Sequence, residues 1–376
     1  MSEKRSIVHI CNNYVSSKVH SRLIASVDSL FKSVSQVVYV PIRRESDAGV
    51  NSFGSVRVSV AYDYCLPFFI KFFPLLKVLW VSFRFYSKVY RFHSGVIVAH
   101  SLWSDGFPAF ICSRLRGGAY NIFVRGTDLN FFLPKLPHYR FLFWLVVRYA
   151  DNVIFVSPAY EMEFKARYPC IFKAVRRSVI LPNGVDMCWL NNVFREKVVR
   201  KDLLFVGRFD RNKNLDVVLE VFSKFSILNP DSRLLLVGGN AKELKHLLGI
   251  QVIPPGVNVL GVISDFDTLK KLYRSSAALL VPSRSETFGL VYIEALTQGC
   301  PIVHTKGQGV SGYFDGCEYV FSGCSNDVDE LLRGVCFLTE HYPMGVPIND
   351  VEERLKFFSW NSIAHKFILS IFRVRP

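Results

Sequence analysis

Residues 281–303 read VPSRSETFGLVYIEALTQGCPIV. An apolar run ends at Val281, a polar loop carries Glu286, and Gly289 stands just before a helical stretch, Val291–Thr297, that carries Glu294. A second strand candidate, Pro301–His304, follows at once. Strand, loop, helix and strand in so short a span read as a βαβ unit of a parallel sheet. Ligands of such sheets bind beyond the carboxyl ends of the strands, where a helix start presents free N–H groups and the positive end of its dipole. Glu286 and Glu294 flank that start and can accept hydrogen bonds from sugar or ribose hydroxyls. Each taken singly reads equally as loop surface or a solvated helix residue.

The same alternation extends in both directions. Asp202–Val206, Arg233–Val237, Val257–Leu260 and Ala278–Val281 are strand candidates, with helical stretches at Leu215–Leu228 and Asp267–Ser275 between them. Upstream, Ser6–Cys11, Gln36–Pro41, Gly95–His100, Asn121–Arg125 and Asn152–Ser157 alternate with helix-length stretches such as Lys18–Phe31 and Tyr139–Ala150. The fold class is therefore α/β, with two doubly wound parallel-sheet domains of the Rossmann-like kind facing across a cleft. The expected spans are 1–180, 185–355 and a C-terminal helix within 356–376 that packs back on the first domain, with Val351–Val374 read as helical.

A second element is Phe205–Asn214, FVGRFDRNKN. A strand runs into Arg208, and Lys213 follows. Arginine offers a planar fork and lysine a point charge to a phosphate at a strand's carboxyl end. Two solvated loop cations are the plain alternative. LLLVGGN at 234–240 lacks the GxGxxG spacing, which argues against a dinucleotide cofactor.

The chain carries a formal charge of +15, with 24 Lys+Arg against 11 Asp+Glu in residues 1–190 and 22 against 20 thereafter. The excess lies almost wholly in the first half. It suggests a phosphorylated ligand, an anionic membrane or nucleic acid, but no helix-turn-helix, zinc or RNP signature supports nucleic acid. Within the apolar region Cys65–Phe92, cations at 77, 84, 88 and 91 fall on one face of an ideal helix among Trp80, Phe83, Phe85 and Tyr90. That stripe suits an anionic membrane interface, or else the solvated face of an outer helix. No stretch of about 20 apolar residues and no secretory leader is visible. Nine cysteines without CxxC or metal-ligand spacing read as buried, reduced thiols.

Taken together and in order, FVGRFDRNKN, LLLVGG, the long segment from Val259 to Val303, TKGQGVSGYF, FSW at 358–360 and LPNGVD at 181–186 resemble the GT-B glycosyltransferases, in particular the retaining family 4 type (glycosyl transferases group 1). The resemblance covers about 180 residues of the second half. It implies that Arg208 and Lys213 hold the donor diphosphate and that Glu286 contacts the donor sugar. It further implies that Glu294 binds ribose hydroxyls, that Phe288, Gly289 and Leu290 offer backbone N–H groups, and that Ile263 lines the base pocket. No DxD-like acidic pair follows a strand, so no metal or other cofactor is expected.

The first half departs from the family pattern. Ser16 and Ser17 stand where a Gly-Gly pair is common, leaving Ser17 as a phosphate contact or a plain N-cap. VRGTD at 124–128 matches the family's HG-x-D loop with Arg125 in place of histidine and Asp128 retained. Arg125, Asp128 and His100, which ends a strand candidate, are the acceptor-side candidates, though a capping aspartate and a core-bonded histidine are equally good readings of the last two. Gly312 replaces a common glutamate. The resemblance implies transfer of a hexose or N-acetylhexosamine from a nucleotide-diphosphate sugar, UDP rather than GDP, to a lipid-linked glycan. The expected setting is the cytoplasmic face of the cell membrane, in bacterial surface polysaccharide assembly such as lipopolysaccharide or capsule. A non-catalytic nucleotide-sugar or glycan-binding module on the same fold is the alternative.

Overall fold

The computed structural model describes residues 5–372, apart from the side chains of Lys71 and Asp350. Met1–Lys4 and Arg373–Pro376, the ends of the first and last expected spans, lie outside the described residues. The chain divides into two compact units. The first holds residues up to 156, 161–184 and from 360 on; the second holds 157–160 and 185–359.

In the first unit seven strands form one parallel sheet: β1 (Arg5–Ile10), β2 (Val34–Ile42), β3 (Val58–Tyr64), β4 (Val96–Ala99), β5 (Tyr120–Val124), β6 (Asn152–Phe155) and β7 (Ser178–Ile180). Their order is β3-β2-β1-β4-β5-β6-β7. The direction of winding reverses between β1 and β4, which pair in register from Ile7 opposite Val96 to Ile10 opposite Ala99. In the second unit β8 (Asp202–Val206), β9 (Leu234–Val237), β10 (Val257–Gly261), β11 (Ser276–Val281), β12 (Ile302–Thr305) and β13 (Val320–Gly323) are ordered β10-β9-β8-β11-β12-β13, with the reversal between β8 and β11. The central strands read as continuous apolar runs because helices cover both faces of each sheet.

Three strands escaped the sequence reading: β3, β7 and β13. All three are edge strands. An edge strand has a neighbour on one side only, so its apolar pattern is interrupted, as in β3 (VSVAYDY), where exposed and half-buried positions alternate with buried Val58 and Asp63.

Two helical expectations are corrected. Val351–Val374 is not one helix. Ile348–Lys356 ends before a bridge between Val185 and Ser359, and a separate helix, Trp360–Ile371, begins beyond it. That second helix lies in the first unit, where Ile363, Phe367 and Ile371 join Ile7, Leu23 and Val27 in one core cluster. The basic stripe of 77, 84, 88 and 91 does not form either. The helix Pro74–Phe85 gives way to a π-turn at Tyr86–Tyr90, closed by Arg91 N–H on the Tyr86 carbonyl, and the phase of the face is lost. Arg84 turns back onto the Asp63 carboxylate. The face left in solvent is apolar: Leu76, Leu79, Trp80 and Phe83.

All nine cysteines are free thiols. Cys170 and Cys324 are exposed, so packing as small hydrophobes does not describe these two.

Candidate active site

In the second unit the loop after β8 and the loop after β11 are stapled together. Asn212 donates its side-chain amide to the Ser285 carbonyl at 2.8 Å and accepts the Ser285 N–H at 3.0 Å. Asp210 caps the intervening turn by accepting from the Asn212 and Lys213 N–H groups. Arg284 donates through Nε to Asn214 Oδ1 at 2.9 Å. These bonds fix the backbone on both sides of Lys213 and Glu286, and the two side chains meet at 2.6 Å. Both are about one-sixth exposed (16% and 15%), so the pair is largely screened from water yet reachable from it.

Glu286 is held from a third direction. Its N–H donates to Gln308 Oε1, and its carbonyl accepts from the Gly309 N–H at 2.8 Å. The loop TKGQGVSGYF therefore acts on the site by positioning Glu286. Gly312, in the place of the family's glutamate, has φ +90°, and a Cβ there would lie 2.6 Å from Pro158 Cβ. A glutamate would not fit without moving the backbone.

Phe288, Gly289 and Leu290 form the turn into the helix Leu290–Thr297. The Phe288 ring is buried against Tyr313 and Phe358, so only its backbone is available to a ligand. Gly289 has φ +77°, and a Cβ would sit 2.3 Å from the Tyr292 ring, whose hydroxyl donates to the Val281 carbonyl at 2.8 Å. Glycine is what lets the helix start this close to the end of β11.

Glu294 projects from that helix. Its carboxylate accepts from the Tyr273 hydroxyl at 3.3 Å, and burial raises its pKa to about 7. A largely desolvated carboxylate with one side-chain donor among the described residues has acceptor capacity to spare for ligand hydroxyls. Arg208 is exposed after β8, and among the described residues no carboxylate or carbonyl accepts from its guanidinium. Ile263 packs half-buried against the core of this unit, whereas Val262 is exposed. The second unit thus brings Lys213, Glu286 and the 288–290 turn together, with Arg208, Glu294 and Ile263 on neighbouring segments at the same carboxyl edge.

In the first unit the candidates have a different character. Asp128 is buried and accepts from three backbone N–H groups, those of Arg125, Leu102 and Trp103, at 2.9, 3.0 and 3.3 Å. It ties the loop after β4 to the loop after β5. Burial outweighs these bonds and raises its pKa to about 7. Arg125 donates through Nε to the His100 carbonyl at 3.0 Å and lies over the Phe123 ring. His100 is buried, and its two ring nitrogens face His9 and His20 at 3.0 and 3.1 Å. Ser17 occupies the N-cap position of the helix Lys18–Leu30, without a side-chain capping bond. A polar pocket of about 340 Å³ opens at this edge, lined among others by Asn12, Arg43, Lys77, Ser104 and Thr127.

Sequence reading did not find Asn212, Ser285 or Gln308, which hold the pair, nor His9 and His20, which flank His100. Asn212 lies within FVGRFDRNKN, but its partner is 73 positions away, and only folding reveals the bond.

Residues 191–341 match the family model for glycosyl transferases group 1. The sulfoquinovosyl transferase SQD2 of Arabidopsis thaliana is 26% identical over 280 residues, which is 69% of this chain and 51% of that protein. The chain spans about half the length of the curated relatives it matches. Among solved structures, the sucrose-phosphate synthase of Thermosynechococcus elongatus superposes with a TM-score of 0.74 at 18% identity, covering 96% of this chain and 97% of that one. HepE of Anabaena, solved with UDP and glucose, superposes at 0.68 and 16%, covering 98% and 99%. The fold is GT-B, and residues 191–341 are the part of the chain that resembles the glycosyl transferases group 1 family.

Proposed function

We propose that the chain is a retaining glycosyltransferase of the family 4 type, which moves a hexose or N-acetylhexosamine from a UDP-sugar to a lipid-linked glycan. The observation that carries this reading is the stapled Lys213–Glu286 pair beside the 288–290 turn. When a nucleoside diphosphate leaves, negative charge grows on its phosphates. Lys213, Arg208 and the helix start stabilise that charge without a catalytic metal. Lys213 is neutralised by Glu286 until the donor arrives; the diphosphate then competes for the ammonium while Glu286 turns to the sugar hydroxyls. Glu294 accepts from the ribose, and Ile263 lines the base pocket. No side chain is assigned as a covalent nucleophile, and the acceptor hydroxyl attacks from the face that the diphosphate leaves.

The acceptor side is assigned to the first unit. Ser17, Arg125 and the polar pocket at Asn12, Arg43 and Lys77 supply donors and positive charge for a glycan phosphate. Asp128 and His100 position this edge. Beside the pocket lies an apolar groove of about 440 Å³ lined by Leu66, Ile70, Leu76 and Trp80; Leu66 borders both. Phe68, Phe72 and Phe83 are 71%, 66% and 60% exposed there. So much exposed aromatic surface, near exposed Lys88 and Arg91, fits insertion into an anionic bilayer. No helix among the described residues is long and apolar enough to cross a membrane. The proposed place is therefore the inner membrane face, in surface polysaccharide or lipopolysaccharide assembly.

A second reading, a sugar-nucleotide or glycan-binding module without transfer, is favoured by Arg125 and by Ser16–Ser17 in place of glycines. Release of nucleoside diphosphate from a panel of sugar nucleotides, with lipid extracts as acceptors, separates the two. Transfer predicts release that Lys213→Ala and Glu286→Ala abolish. Binding without release from any donor selects the module.

A further inference from the structure

The first unit gathers a thiol and three imidazoles from three separate segments. His9 lies on β1 and Cys11 follows it, His20 is in the first turn of Lys18–Leu30, and His100 follows β4; all are buried. The sulfur of Cys11 and one ring nitrogen each of His20 and His100 lie within 4.8 Å of one another. His20 Nδ1 is 3.1 Å from His100 Nδ1. Two ring nitrogens about 2.0–2.1 Å from a shared three-coordinate ion stand roughly 3.5–3.6 Å apart, so a shift of about half an ångström separates the two arrangements.

The surrounding bonds fix the protons. Gln36 donates Nε2–H to the Ile24 carbonyl at 3.0 Å, which turns its Oε1 to His9 Nε2 at 3.2 Å. His9 Nε2 must donate, so His9 Nδ1 is the acceptor and takes the proton of His100 Nε2 at 3.0 Å. His100 Nδ1 is left as a lone pair aimed at His20. Outer hydrogen bonds that set the tautomer and orientation of a ring in this way are what support metal-ligating histidines.

We propose that Cys11, His20 and His100 form a three-ligand site for a monovalent copper ion. Two imidazoles and one thiolate are a borderline-to-soft donor set, suited to Cu(I) and Zn(II). Two observations favour copper. The described cluster offers three buried ligands, enough for Cu(I), whereas zinc held by three protein ligands takes a fourth, usually a water. The Arg125 guanidinium also stands beside the cluster, its Nε–H donating to the His100 carbonyl at 3.0 Å. Cu(I) with one thiolate is neutral, while a divalent ion would leave a buried positive charge beside Arg125. Binding breaks the Cys11 S–H bond, forms the copper–sulfur bond and releases one proton; the His20 proton moves from Nδ1 to Nε2. Copper keeps its oxidation state, so no oxidant or reductant is consumed.

The test uses the full chain with Cys170→Ser and Cys324→Ser, which removes the two exposed thiols. It is titrated anaerobically with Cu(I) against a chromogenic chelator. The expected result is one ion and one released proton per chain, with X-ray absorption showing one sulfur and two nitrogen neighbours. Cys11→Ala lowers the affinity more than about 100-fold, and His9→Gln, behind His100, by about 10–100-fold, both in variants whose circular dichroism matches the parent. No stoichiometric copper, sulfur-only coordination, or binding indifferent to Cys11→Ala overturns the site. Tighter binding of Zn(II) than of Cu(I) overturns the assignment to copper. X-ray absorption on the parent chain decides the matter even where a variant does not fold.

Discussion

The carboxyl edges of the two sheets are built from the same kind of topology but from opposite electrostatics. In the second unit the Lys213–Glu286 pair is largely shielded yet open to water, and loop-to-loop bonds hold it in place. In the first unit Asp128, His9, His20 and His100 are buried, and they bond to backbone N–H groups, to Gln36 and to each other. The first arrangement is one a charged ligand can enter and rearrange. The second holds loops in position, and a ligand could reach these groups only by displacing their bonds. Substitutions at the two edges should therefore fail differently.

The largest effect is expected at the pair. Lys213→Ala and Glu286→Ala should each lower donor-dependent nucleoside diphosphate release by about 100- to 1,000-fold, the scale for removing one group that stabilises developing charge. Thermal unfolding should shift far less. A variant that loses activity only in proportion to its lost folding would erase the contrast.

Next in size is Asp128→Ala, which strips three buried N–H groups of their acceptor and should cost about 2–4 kcal/mol in denaturant unfolding. The surviving folded fraction should keep most of its affinity for the donor. Weak donor binding with unchanged stability would move Asp128 into the binding machinery.

A smaller effect carries a sign. Burial raises Glu294 from 4.5 to about 7, so the folded chain holds this proton more tightly than the unfolded chain does. The associated stability is present in full below about pH 4.5 and is lost as pH rises through 7. Glu294→Gln should unfold about 3 kcal/mol harder than the parent at pH 8, with the gain shrinking toward pH 5. It should also weaken donor binding. A pH-independent difference would mean that Glu294 is not desolvated in the folded chain. The least effect on stability belongs to Phe68→Ser with Phe72→Ser, within about 0.5 kcal/mol because both are exposed. The pair should still reduce sedimentation with anionic phospholipid vesicles about tenfold; undiminished sedimentation would remove the apolar face from the account.

The legibility of the sequence follows the same divide. Central strands and the donor-side motifs could be read because their residues are contiguous: β8 runs into Arg208 and Lys213, and β11 into Glu286, Gly289 and Glu294. The edge strands β3, β7 and β13 lack a continuous apolar signal. The π-turn at Tyr86–Tyr90 breaks the helical phase that joins 84 to 88 and 91, and the exposed apolar face of Pro74–Phe85 was not read. The histidine cluster draws on positions 9, 20 and 100, and the Asn212–Ser285 staple spans 73 positions; neither leaves a local pattern.

The proposed function requires the second unit to bind a nucleotide-diphosphate sugar through Lys213 and its neighbours. It is tested most directly by calorimetric titration of the full chain and of Lys213→Ala with UDP, UDP-sugars and their GDP counterparts. Saturable binding to the parent is expected, tighter for UDP compounds and weakened at least tenfold by Lys213→Ala. Equal affinity in parent and variant, or no binding of any of these nucleotides by the folded parent, would contradict it.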